Sequence, residues 1–187
     1  MKNKIISLII KILILSLFLS HSHSSEKIWQ SAKEGNKIIF IRHSLAPGGG
    51  DPEGFKIDDC KTQRNLNLKG INQSKRIGKL LKKKKIPIDQ VLSSQWCRCK
   101  DTAKYAFGDY KEFKALNSTF QSPYNKNEAS QIKELFSFIK KWNGNGKNLI
   151  LVTHYSIITA VTNAVPSSGE IVITDKNFNV FETISTN

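Results

Sequence analysis

The sequence predicts a layered α/β domain on a mostly parallel sheet with an antiparallel edge. Short apolar runs alternate with segments of helical periodicity across residues 37–164, the pattern of strand–helix–strand units. The last two apolar runs, 169–174 and 178–184, flank Asp175-Lys176-Asn177 and read as a hairpin. A length of 187 residues suits one domain, and neither an internal repeat nor a linker interrupts it.

Residues 1–24 stand apart from this pattern. Lys2 and Lys4 precede an apolar stretch, Ile5 to Leu19, and Ser22 and Ser24 supply small residues at a cleavage spacing. The segment reads as a secretory signal peptide, which leaves 25–187 as the domain and a periplasmic or secreted location. The competing reading is an uncleaved anchor, and Lys11 weighs against it. No later segment has the ~20 apolar residues of a membrane span, so no stable span is expected after cleavage.

Within the domain, Lys37–Ile41 reads as a buried strand that ends at Arg42-His43. A loop rich in Gly, Pro and Asp follows. Asn67 suits a helix cap, and Leu68, Ile71, Ile77, Leu80 and Leu81 keep helical spacing until Pro87. Gln90–Ser94 is a second strand, 97–107 a helix stopped by Gly108, and Phe113–Thr119 a third strand. Glu128–Trp142 is amphipathic, with Ile132, Leu135, Phe136 and Ile139 on one face. Asn148–Thr153 is the most apolar strand, and it delivers His154 to a short helix over 155–164.

Apolar residues at 39% and charged residues at 24% exclude wholesale disorder, and three cysteines are too few for a disulfide-built scaffold. The formal charge of +14 comes from 25 lysines and only four arginines, Arg42, Arg64, Arg76 and Arg98. The lysines read as a solvated surface or as an attractor of anions such as phosphoesters. No zinc-finger, RNA-recognition or helix-turn-helix signature accompanies them, so nucleic acid is not an expected partner.

Arginine and histidine are scarce, which narrows the chemistry. Ligands of open α/β sheets bind beyond the carboxyl ends of the strands, where Arg42, His43 and His154 stand. Neutral imidazole can accept a phosphoryl group. The negative charge of that group suits the fork of arginine, and Arg98 lies at a helix start. Neighbouring cations would also keep His43 neutral.

These residues fall into motifs. IIFIRHS, Ser93-Ser94-Gln95-Trp96-Cys97-Arg98-Cys99-Lys100-Asp101-Thr102-Ala103 and LILVTHYSIITAV occur in that order, with LNLKG at a helix start. The sequence resembles the histidine phosphatase (phosphoglycerate mutase-like) superfamily over about residues 37–175. The resemblance implies a three-layer α/β/α sandwich and a phosphomonoesterase with His43 as the nucleophile. Arg42, Arg98 and His154 would stabilise the phosphoryl group, and Arg64 and Ser44 would contact substrate. No cofactor or metal is implied, and three thiols without a nearby histidine suit zinc poorly.

The departures are informative. Ser44 replaces the usual Gly. The stretch Ala115–Thr119 lacks the mutase-type Glu, and Tyr155 stands where the acid phosphatase branch has Asp. The proton donor is therefore not visible. Asp51 is the first choice, with Glu53, Asp58 and Asp59 as alternatives. These absences favour phosphatase over mutase, on a small-molecule or glycolipid phosphoester. The cysteine-bearing loop is similar to that of the branch acting on a lipopolysaccharide heptose phosphate. Cys97 falls at a variable motif position and Cys99 at a packed one, which favours Cys60–Cys97 pairing and leaves Cys60–Cys99 open. Trp96 and Tyr124 are further candidates to line a cleft. The competing readings are a binding protein for a phospho-ligand and a lysine-rich binder of anionic surfaces.

Overall fold

The computed structural model describes residues 29–186. The expected signal peptide lies outside the described residues. Among the described residues, no helix is long and apolar enough to cross a membrane.

Six strands form one sheet in the order β3-β2-β4-β1-β5-β6. They are β1 (Ile38–Arg42), β2 (Ile88–Ser93), β3 (Lys111–Glu112), β4 (Asn148–Thr153), β5 (Ile171–Thr174) and β6 (Val180–Ile184). The first four are mutually parallel, and β5 runs antiparallel to both β1 and β6. The hairpin and the antiparallel edge are thus present.

Alternation along the strands builds two cores. Ile39 and Ile41, with Ile150, Val152, Ile171 and Ile173, pack against α1 (Leu68–Lys83) and α2 (Cys97–Phe107) through Ile77, Leu81 and Ala103. Ile38 and Phe40, with Leu149, Leu151 and Val172, face α3 (Glu128–Lys141) and α4 (Tyr155–Thr162) through Leu135, Ile139, Ile157 and Ile158. Helices cover both faces of the sheet, in three layers.

Local chemistry sets the helix ends. The Asn67 side chain accepts from the Gly70 N–H at 2.9 Å, and Lys82 and Lys83 occupy the last turn of α1, where cations suit the helix dipole. Gly108 (φ 82°) ends α2, and Asn163 (φ 60°) ends α4 in the left-handed region, two residues earlier than expected.

One expectation fails. Phe113–Thr119 is not a strand; β3 spans only Lys111–Glu112, and Lys114–Leu116 forms a 3-10 turn. The reason lies in the partner strand. β2 gives β3 only Leu92 and Ser93 to pair with before the chain leaves for α2. Ala115 and Leu116 instead bury in the core beside α3, and Asn117 spends its amide on Ser94 and Gln95.

Register places the site. Arg42 pairs with Thr153 across the parallel β1–β4 ladder, so the next residues, His43 and His154, emerge side by side. The His43 N–H donates to the Thr153 carbonyl at 2.9 Å, and the Ser94 N–H donates to Val152 at 2.9 Å.

Candidate active site

His43 is 2% exposed, and its ring stands 5.4 Å from that of His154, edge to face. Its Nδ1 lies 2.9 Å from the Ser44 carbonyl. A carbonyl only accepts, so Nδ1 carries the proton and the lone pair is on Nε2. Burial and the nearby Arg98 hold the ring well below the usual imidazole range, so it is neutral.

His154 is fixed by a polar network. Its Nε2 lies 3.0 Å from Ser94 Oγ, which can donate to Asn117 Oδ1 at 3.2 Å. Nδ1 faces Arg98 Nη2 at 3.5 Å. Guanidinium only donates, so Nε2 bears the proton and Nδ1 accepts. Burial and Arg98 push His154 down as well. Cys99 Sγ lies 3.4 Å from Nε2, and burial lifts this thiol to about 12, which keeps it protonated.

Three guanidinium groups join the two imidazoles. Arg42 donates from Nη1 to the Pro166 carbonyl at 2.8 Å and lies 5.2 Å from the centre of the Tyr155 ring. Arg98 is 3% exposed and is paired with Asp51. Arg64 donates to the Gly50 carbonyl at 2.8 Å and to that of Ala46. Burial lowers both Arg42 and Arg64, with the charge of Arg98 adding to the effect. Arg76 does not line this site.

A cavity of about 100 Å³ lies among these groups, lined by Arg42, His43, Arg64, Arg98 and His154. Gly48–Gly50, Ser118, Phe120 and Tyr155 complete its wall. A drug-sized ligand needs a pocket of roughly 300 Å³ or more, so this one suits a single small anion. Of these wall residues, Gly48–Gly50 are marked in the sequence by their glycine-rich loop and Tyr155 by its place after His154. Ser118 and Phe120 arrive from the stretch around the expected strand, and nothing in their local sequence marks them.

The loop above the cavity is tied down. Cys60 and Cys97 form a disulfide with a Cα–Cα distance of 5.6 Å, and Cys99 is free and buried. Gln63 Oε1 accepts from the Cys97 N–H at 3.0 Å, beside that bond. Gly50 has a φ of 71°, and a Cβ there would stand 2.9 Å from Gln121 Oε1. A side chain at position 50 would thus be strained and crowded.

Three expectations change on this geometry. Asp51 does not line the cavity as an acid; its carboxylate is engaged by Arg98, Trp96 and the Arg64 N–H. The Ser44 hydroxyl is taken up by Ser74 Oγ at 2.8 Å and does not line the cavity; its carbonyl meets His43 Nδ1. Trp96 is fully buried and Tyr124 packs on it at 4.9 Å, so Trp96 is core rather than cleft. Among the described residues, no group of three His, Cys, Asp or Glu could hold a metal ion.

No family model and no curated protein matches the chain. Solved structures do. The protein histidine phosphatase SixA complexed with tungstate aligns at a TM-score of 0.55 and 15% identity, over 80% of this chain and 97% of SixA. The chain shares its fold, a mixed α/β sandwich of the phosphoglycerate mutase-like type. A phosphoglycerate mutase from Thermus thermophilus aligns at a TM-score of 0.53 and 16% identity, over 80% of this chain and 98% of that one. At such identities the likeness establishes the fold, and the chemistry rests on the site.

Proposed function

We propose that this chain is an exported phosphomonoesterase that works through a phosphohistidine on His43. The convergence of two neutral buried imidazoles and three guanidinium groups on one small cavity carries this reading. His43 Nε2 attacks phosphorus as the bond to the leaving oxygen breaks, and a proton from solvent satisfies that oxygen. Arg42, Arg98 and Arg64 stabilise the charge on the transferred group. Water then attacks the phosphohistidine, the P–N bond breaks, and inorganic phosphate leaves with His43 restored. His154 stabilises the group once the arriving dianion offsets the arginines that disfavour its protonation.

Among the described residues, none with a carboxyl side chain lines the cavity. The reaction therefore favours leaving groups that need no proton from a carboxyl of the enzyme, such as the aryl oxides of aryl phosphates and the amines of phosphoramidates already protonated on nitrogen by solvent. The likeness to a protein histidine phosphatase is in keeping with that class. The physiological ester is a small-molecule or glycolipid phosphate, drawn to a lysine-rich chain that stays strongly basic after Lys2, Lys4 and Lys11 leave with the leader. The Cys60–Cys97 bond supports an oxidising compartment and, with it, export of residues 25–187 behind a cleaved leader, 1–24.

The missing carboxyl also favours a second reading, a phospho-ligand-binding protein with weak or no turnover. Phosphate release from a panel of aryl, sugar and amido phosphates, compared with His43→Ala, separates the two. Release lost in the variant supports the esterase. Phosphate binding without release in the wild type supports the binder.

A further inference from the structure

Asp51 belongs to a glycine loop, yet its side chain is only 2% exposed and that of its partner Arg98 only 3%. Its oxygens lie 2.8 and 3.0 Å from Arg98 Nη1. Oδ1 also accepts from the Arg64 N–H, and Oδ2 from the Trp96 indole N–H, each at 3.0 Å. The Asp51 N–H donates to Gln121 Oε1 at 2.8 Å. Burying an ion pair is costly unless further hydrogen bonds complete it, and here both oxygens have them.

A guanidinium group offers two edges. Nε–H and Nη2–H point the same way and form a fork that fits phosphate with two parallel bonds, while Nη1 faces elsewhere. Asp51 occupies Nη1. Nε of Arg98 is buried without a partner among the described residues, and Nη2 has the long 3.5 Å contact to His154. Arg42 divides in the same way, with Nη1 on the Pro166 carbonyl and Nε buried and unpartnered. Buried donors are seldom left unmade. Two of them, on arginines that line one cavity, fit an oxyanion that completes both.

We propose that Asp51 is a positioning residue for phosphoryl transfer: it grips Arg98 through Nη1 and so turns the Nε/Nη2 fork of Arg98 to the transferred group. The proposal rests on the phosphatase reading. It sets Asp51 apart from a general acid, because the two roles respond differently to the leaving group. An acid matters most for alkyl esters, whose leaving oxygen needs a proton. A positioning residue matters equally for every ester, and for phosphate itself.

The test uses the full chain with its disulfide intact. Calorimetry gives the Kd for inorganic phosphate, and kcat/KM is measured on an aryl and an alkyl phosphate. Asp51→Asn should weaken phosphate binding about 10-fold and lower kcat/KM by about 10- to 100-fold, by one factor for both esters. Adding it to Arg98→Lys should change nothing further, since Asp51 acts through that fork. A loss confined to the alkyl ester would make Asp51 an acid and overturn the proposal. Unaltered phosphate affinity in a folded variant would overturn it too. Should Asp51→Asn not fold, Asp51→Glu keeps the charge but shifts the grip, and it must weaken phosphate binding by the same test. A wild type that binds phosphate and cleaves neither ester ends the phosphatase reading, while the affinity and coupling measurements still decide Asp51.

Discussion

The two halves of the cavity are held in different ways. Arg42, His43 and His154 stand at the ends of β1 and β4, where a parallel ladder in the core fixes their spacing. Gly48–Gly50 and Arg64 come from a loop with no ladder, held by the Cys60–Cys97 bond, the Asp51–Arg98 pair and hydrogen bonds to carbonyls. The imidazoles and Arg42 are thus placed by the sheet, and the glycines and Arg64 by a tether. Arg98 belongs to both, being carried by α2 and gripped by the loop.

The sharpest separation of the halves is loss of the nucleophile. His43→Ala should reduce phosphate release by on the order of 10⁴-fold or more and abolish the acid-labile phosphoprotein trapped by rapid quenching. Residual phosphoprotein in that variant would place the chemistry elsewhere.

The tether is the next target. Replacing Cys60 and Cys97 with Ser should cost about 2–4 kcal/mol in denaturant unfolding and lower kcat/KM. The two imidazoles should keep their NMR signatures, because β1, β4 and the Ser94–Asn117 network hold them without the disulfide. If turnover survives unaltered, the loop needs no staple and the contrast between the halves fails.

Acid should act on the sheet half. His43 and His154 are both held well below 6.5 by burial and by Arg98. A depressed native value means that below 6.5 the unfolded chain binds protons which the native chain refuses. Stability is therefore full above that pH and falls beneath it, by about 1.4 kcal/mol per histidine for each pH unit, until the native rings titrate. Thermal melts from pH 8 to 5 check this. A flat profile would mean that the rings are not buried neutral. On the proposed chemistry turnover uses neutral His43, so it should persist through 6.5.

The smallest expected effect is at the rim. Phe120 is 53% exposed and meets Tyr155 at 5.6 Å. Phe120→Ala should raise KM about 2- to 5-fold with kcat unaltered, since its apolar ring offers the transferred group neither charge nor a hydrogen bond. A fall in kcat would draw Phe120 into the chemistry.

The same contrast explains what could be read from residues alone. β1, β4 and the helices carry periodic apolar patterns that their burial demands, and the positions of His43 and His154 follow from strand ends. Phe113–Thr119 misleads because Phe113, Ala115 and Leu116 make a short apolar stretch like that of a strand, while β2 ends at Ser93 and leaves the segment no partner. Asp51 is legible as a carboxyl in a loop. Its engagement with Arg98 and Trp96 depends on a fold of that loop which no local pattern encodes. Ser44 shows a further limit, since sequence gives a hydroxyl and not the direction in which it points.

The size of the cavity has a kinetic corollary. A space of about 100 Å³ bounded by three guanidinium groups has the size of a single phosphoryl group, the piece common to every phosphomonoester, and on the proposed chemistry the variable remainder stays outside. Free phosphate is that common piece, so on the proposed chemistry the product competes for the room the next substrate needs. Throughput would then follow the ambient phosphate level, slowing where phosphate is plentiful and rising where it is scarce.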